Sequence, residues 1–342
     1  MKPWLNESLQ QFQKIVASKR IPHALILYGN QNIGKLELAQ KIVEELTKVN
    51  VENDNLDIDV NNNKISIRQS NYNSLIYCQR EIPLKSKVKD KKRSNIISVN
   101  QIRKFCDFLG KTSNKLQIGI INYGDFLHNS ASNALLKTLE EPKKRTLIII
   151  LAHNIKTLPA TILSRCQKIH IMADDDSINW IKDKISINID DLELQKIFKE
   201  CDFVPNTVVE KINNGDYQQE LQWRNELISM ALNPNNINKL SSVKNNETKI
   251  ISCLQNLIIE SIELKSTIKN NDKLTTDNTY NHILQKTDVK MLFGILRDVS
   301  QVKSLLNTTM NKPLVLDNLL IIWSHITHLQ QYPHTFNKNI NT

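Results

Sequence analysis

The 342-residue chain is predicted to be an α/β domain with a mostly parallel sheet and helices on both faces, then a small helical domain, then a larger all-helical one. Three observations predict this. Up to residue 171, short apolar runs alternate with segments of helical spacing. Beyond that point only helical periodicity remains. From about residue 219 the helical segments lengthen, and Asn- and Lys-rich stretches separate them. The implied domains are 1–172, 173–218 and 219–342, in keeping with the two or three domains that this length allows.

The elements follow in order. Residues 5–18 form an amphipathic helix, and 23–28 is a short apolar run ending at Gly29, hence a buried strand. Residues 34–46 carry Leu38, Ile42, Val43 and Leu46 at helical spacing. The stretch 49–73 is polar and rich in Asn and Asp, so it is read as a loop or insertion, and 74–78 as a strand. Residues 85–93, KSKVKDKKR, hold six basic residues and one acidic. Such a run is usually a solvated loop, with nucleic-acid contact as its functional alternative. A helix over 99–109 puts Ile102, Phe105, Cys106 and Leu109 on one face. A strand over 116–122 precedes a helix over 130–141, stopped by Pro142, which cannot continue the hydrogen-bond ladder. Strands at 146–151 and 167–171 complete the sheet.

The acidic triplet 174–176 then opens three short helices, at 178–185, 192–199 and 207–213, and Asn214-Gly215 supplies a turn. Longer helices are expected at 219–232, 247–269, 288–306 and 314–329. In the last, Leu316, Leu319, Leu320, Trp323 and Ile326 repeat every three or four residues, the mark of an internal core stripe.

Composition narrows the function classes. The formal net charge is +10, which attracts phosphate and makes nucleic acid a candidate partner. Abundant Asn, Lys and Ile are also what AT-biased coding gives, so the lysine count alone decides nothing. Five cysteines stand far apart, with no C-x-x-C pair, against both a four-cysteine zinc site and a disulfide framework. His128, His153 and His170 show no metal spacing. Residues 1–12 are amphipathic with no apolar signal core, and the longest apolar runs are too short to span a bilayer. A cytoplasmic protein without a membrane partner is expected.

The chemistry-bearing motif is Gly29 to Leu36, which fits G-x-x-x-x-G-K and fails at the next position. Its glycines let backbone N–H groups curl around phosphate at a helix N-terminus, and Lys35 would reach the β- and γ-phosphates. A following Ser or Thr would place a hydroxyl on Mg²⁺. Leu36 has no oxygen to offer. An active nucleoside triphosphatase also needs acids at the end of a second strand, to hold the metal and activate water. Asn122 and Tyr123 stand there, and Asp125 comes three residues late. Two independent metal-holding features are absent, so hydrolysis by this chain is not expected.

Two further segments carry a family resemblance: Asn129 to Pro142, NSASNALLKTLEEP, and Leu158 to Cys166, LPATILSRC. Together they resemble the bacterial clamp-loader branch of the AAA+ ATPases, whose A-x-N-A-L-L-K-x-L-E-E-P helix and S-R-C triplet appear here in order. His23-Ala24-Leu25 and Ile102-Arg103 are also similar to the family pattern. The resemblance is strong over about residues 3–172 and weaker beyond.

That resemblance implies an AAA+ P-loop domain, a small helical lid and a helical collar that joins subunits. The departures place the chain within the family: a degenerate ATP site beside an intact Ser164-Arg165-Cys166 is similar to its delta-prime branch. By the same resemblance Arg165 is an arginine finger, supplied in trans to a neighbour's ATP. Ser164 and Cys166 position and pack around it. Gly29, Gly34, Lys35 and Asn154, the last at the first-sensor position, would be a vestigial nucleotide site with at most weak ATP or ADP binding. Thr207 stands where motor subunits carry a basic nucleotide-sensing residue. The family's four-cysteine zinc module has no counterpart in 49–73, so neither zinc nor another cofactor is expected. The implied partners are the gamma/tau motor and delta subunits of a hetero-pentamer, the sliding clamp, and primed DNA through the assembly. Two rival readings are an ATPase-competent motor subunit and a free-standing basic DNA-binding protein.

Overall fold

A computed structural model describes residues 2–17, 21–47, 67–69, 74–80, 96–111, 113–174, 176–240, 246–267, 285–305 and 312–327. These fall into two compact units, Met1–Glu210 and Lys211–Thr342. The basic run 85–93 and most of the 49–73 stretch lie outside the described residues.

In the first unit, α1 (Leu5–Ala17) leads into β1 (Ala24–Tyr28), α2 (Lys35–Thr47), β2 (Ile67–Gln69), β3 (Leu75–Cys78), α3 (Val99–Leu109) and β4 (Gln117–Ile121). Then come α4 (Asn129–Glu140), β5 (Thr146–Ala152), a one-turn α5 (Ala160–Leu163) and β6 (Gln167–His170). The strands form one sheet in the order β2-β3-β4-β5-β1-β6. All neighbours run parallel except β2, which pairs antiparallel with β3. This is the α/β class expected. Strand β2 lies within 49–73, the stretch expected to be a loop or insertion, and adds an edge strand that the sequence does not predict. Three residues with one apolar member are too short to show a two-residue period.

The apolar runs become the sheet because they are buried on both faces. One cluster holds Leu25, Leu27, Ile149 and Leu151 against α1 and α2; the other holds Ile26, Ile148 and Ile150 against α3 and α4. Gly119 in β4 lets α3 lie close, since a Cβ there would meet the Phe105 ring at 2.3 Å. Three short helices follow: α6 (Asp176–Lys184), α7 (Asp191–Glu200) and α8 (Pro205–Asn213).

The second unit is helical: α9 (Asp216–Leu232), α10 (Glu247–Thr267), α11 (Val289–Leu305) and α12 (Lys312–Ser324). The stripe Leu316, Leu319, Leu320, Trp323 and Ile326 is buried in its core with Trp223, Leu227 and Ile295. The Trp323 indole N–H donates to the Leu227 carbonyl at 2.8 Å. Among the described residues no helix is long and apolar enough to cross a membrane.

Candidate functional site

The loop from Gly29 to Lys35 leaves the C-terminal end of β1 and opens α2. Its conformation needs its glycines. Gly34 has φ +107°, and a Cβ on Gly29 would stand 2.4 Å from the Ile171 carbonyl oxygen. The N-terminal segment braces the loop from outside: the Trp4 indole N–H donates to the Ile33 carbonyl at 2.7 Å, and Leu5 packs on Gly34. On the other side, the Asn206 amide of α8 donates to the Asn32 carbonyl, and Asn30 donates to the Asp202 carbonyl at 2.7 Å.

An open cleft of about 460 Å³ lies over the loop, lined by Lys35, Tyr77, Asn122, Tyr123, His153 and Asn206, among others. Lys35 is 6% exposed, and its ammonium donates to the loop's own carbonyls, Gly29 and Asn30, both at 2.7 Å. Burial lowers its pKa to about 8, against the pull of Asp125. Leu36 packs on the core and turns no oxygen to the cleft. Two acids, Glu37 and Glu210, also line it, and Glu37 pairs with Lys2 at 2.8 Å.

The end of β4 offers the cleft no charge. The Asn122 amide donates to the Tyr77 hydroxyl at 2.7 Å, and its oxygen accepts from the Tyr123 N–H at 2.9 Å. Tyr123 sits in the left-handed region, φ 61°, with the Arg80 guanidinium 4.6 Å from its ring centre. Asp125 is committed elsewhere. Its two oxygens accept from the His153 N–H at 2.7 Å, the Asn154 N–H at 2.8 Å and the Thr157 hydroxyl at 3.0 Å. The carboxylate therefore ties down the chain leaving β5. Such a set does not fit a catalytic Mg²⁺: there is no hydroxyl after the lysine and no free acid at the strand end. Among the described residues no group of three or more His, Cys, Asp or Glu could hold a metal ion.

Asn154 caps the 3-10 turn Ile155–Thr157, its side chain accepting from the Lys156 N–H at 3.0 Å. Its neighbour His153 faces the cleft instead. Burial, reinforced by Lys35 and Arg80, holds that imidazole below its ordinary pKa, opposed by Asp125. Its Nδ1 is buried without a hydrogen-bond partner. From α8 the cleft receives Asn206 and Glu210, one helical turn apart, on either side of Thr207.

Sequence reasoning did not pick out Trp4, Tyr77, His153, Asn206 or Glu210 as site residues. None lies in a recognisable motif; Trp4 and Asn206 reach the loop, and Tyr77, His153 and Glu210 reach the cleft, from distant parts of the chain. Only the aromatic Tyr77, in the strand beside β4, carried a signal that strand pairing could have used.

The Ser164-Arg165-Cys166 triplet lies at the other end of the sheet. Strand β6 runs parallel to β1, with Gln167 beside Leu25 and His170 beside Tyr28. Those two levels are three strand steps apart, about 10 Å. The Gly29–Lys35 loop lies beyond the upper level and Arg165 beyond the lower one, and Arg165 is not among the residues that line the cleft. Cys166 is buried, and burial pushes its thiol up to about 12, leaving it neutral and non-nucleophilic at neutral pH. Arg165 stays partly exposed. Its Nη1 donates to the Thr161 carbonyl at 2.9 Å and the Ser164 hydroxyl at 3.1 Å, and its Nη2 pairs with Glu140 at 2.8 Å. The two motif segments thus meet, one ending α4 and the other following α5.

Residues 4–175 match the family described as DNA polymerase III, delta subunit. A DNA polymerase III subunit gamma from Buchnera aphidicola subsp. Schizaphis graminum is 28% identical over 193 residues, covering 51% of this chain and 48% of the relative. A DNA polymerase III subunit delta' from Haemophilus influenzae is 33% identical over 95 residues, 27% of this chain and 29% of the relative. The chain thus spans about half the length, or less, of these curated relatives. A DNA polymerase III gamma subunit-related protein from Thermotoga maritima aligns with 94% of this chain and 99% of its own, at TM-score 0.45 and 14% identity.

Proposed function

Because the chain belongs to the DNA polymerase III delta-prime subunit family, we propose that it is the non-hydrolysing stator of a clamp loader and lends Arg165 to a neighbour's ATP site. Its partners are then the gamma/tau motor subunits and the delta subunit of a hetero-pentamer. The assembly opens the sliding clamp and closes it on primed DNA. Hydrolysis takes place in the motor subunits. DNA contact by this chain is secondary and made to backbone phosphate.

One observation carries the reading: the phosphate loop and Arg165 occupy opposite ends of the same parallel strands. The loop end has no hydroxyl after Lys35 and no acid at the end of β4, which supports a chain that leaves hydrolysis to its neighbours. The other end presents a guanidinium that its own cleft cannot use. A guanidinium is always charged, and its planar fork grips phosphate oxygens in two places. Offered across a subunit boundary, it neutralises charge building on the γ-phosphate. The helical second unit serves as the collar.

The test is reconstitution with the motor and delta subunits. Arg165→Ala is expected to cut clamp- and DNA-stimulated ATP hydrolysis by about 10³-fold at the one site it serves, the lower range for arginine fingers. Assembly, followed by size-exclusion chromatography, is expected to be unchanged. Undiminished hydrolysis at that site would make Arg165 a structural residue.

A further inference from the structure

We propose that Glu140 is a positioning residue for Arg165, a counter-ion that holds the guanidinium at rest and gives it up to a neighbour's triphosphate. This rests on the reading that Arg165 acts on a nucleotide bound by the adjoining subunit.

The Glu140–Arg165 contact is a single one, Oε1 to Nη2 at 2.8 Å, with half of the Glu140 side chain exposed. The Nη1 contacts are of a different kind, one to the Thr161 carbonyl and one to the Ser164 hydroxyl. Those two neutral acceptors fix the direction of the side chain without changing its charge. Glu140 alone cancels it. A guanidinium whose charge is already balanced attracts a γ-phosphate weakly, and a carboxylate left beside that phosphate repels it. The finger therefore works only after Glu140 has yielded. Exposed ion pairs are weak enough for a bidentate phosphate contact to displace.

The position of Glu140 is a second, independent sign. It is the last residue of α4. Carboxylates are disfavoured at a helix C-terminus, where the unsatisfied carbonyls already concentrate negative charge. Local helix preference does not put an acid there, and the structure gives this one a salt bridge to Arg165.

The experiment uses the complete assembly with full-length chains and follows ATP hydrolysis at the site that Arg165 serves. Glu140→Gln keeps the side chain's length and removes its charge. It is expected to lower KM for ATP about three- to fivefold, the range of an exposed ion pair, with kcat changed less than about twofold. Glu140→Asp, which keeps the charge, is expected to behave as the parent. In an Arg165→Ala background, Glu140→Gln is expected to do nothing further. An unchanged or raised KM, or an effect that survives without Arg165, would overturn the proposal while the stator reading stands. A silent Arg165→Ala would remove both together.

Discussion

Lys35 shows how one residue ties the loop after β1 to itself. Its ammonium donates to two carbonyls of its own loop, and burial lowers its pKa to about 8. The unfolded lysine keeps its proton to about 10.5. Between these values the unfolded chain binds the extra proton, so folding is favoured increasingly as pH rises from about 8 to about 10.5. Below pH 8 the full penalty of burying the charge remains. Lys35→Met removes that penalty but also leaves the Gly29 and Asn30 carbonyls without this donor. Its stability relative to the parent is therefore expected to be highest below pH 8 and to fall by roughly 1–3 kcal/mol as pH rises to about 10.5. Urea unfolding of both proteins across that range checks it; a relative stability that grows with pH contradicts the account. Asp125 behaves oppositely. It accepts two backbone N–H groups, of His153 and Asn154, and one hydroxyl. Asp125→Ala leaves these donors without their acceptor and is expected to cost about 2–3 kcal/mol in the same assay. A loss below about 0.5 kcal/mol would mean that water replaces the carboxylate fully.

At the scale of elements, the close fit of α3 on β4 depends on Gly119. An added Cβ would press into Phe105 at 2.3 Å and Leu109 at 3.0 Å. Gly119→Ala is expected to destabilise the first unit by about 1–3 kcal/mol through overpacking, measured by denaturant midpoint. An unchanged midpoint would mean that α3 shifts freely on the sheet. Elements were the most legible part of this protein. The run from β1 through the phosphate loop to α2 is contiguous, so the motif, the strand before it and the helix after it could all be read from residue type and spacing. Strand β2 was missed because three residues carry no period. The site was legible in part. Lys35, Leu36, Asn122 and Arg165 stand out by identity within short motifs. The contacts that decide their state do not: Trp4 to Ile33, Tyr77 to Asn122, Asp125 to the end of β5, and Glu140 to Arg165 join residues 25 to 45 positions apart. Periodicity shows which face of an element is buried, not which distant side chain meets it.

The whole molecule divides into two compact units with separate cores. Trp4 and Trp180 belong to the first, Trp223 and Trp323 to the second. A chain carrying both Trp223→Phe and Trp323→Phe reports on the first unit alone while the second is weakened. Its fluorescence midpoint in urea is expected to match that of the parent's first unit. A midpoint that falls with the weakened unit would show a single cooperative fold. This division suits the proposed labour of the chain: a rigid α/β body that carries the guanidinium, and a helical unit that holds it in a ring.

The central claim is that the chain acts through Arg165 and not through its own phosphate loop. Steady-state ATP hydrolysis by the reconstituted assembly, compared for Arg165→Ala and Lys35→Ala, tests this most directly. The account expects Arg165→Ala to lose the turnover of one neighbouring site, and Lys35→Ala to match the parent within about twofold. Loss with Lys35→Ala and none with Arg165→Ala would contradict it.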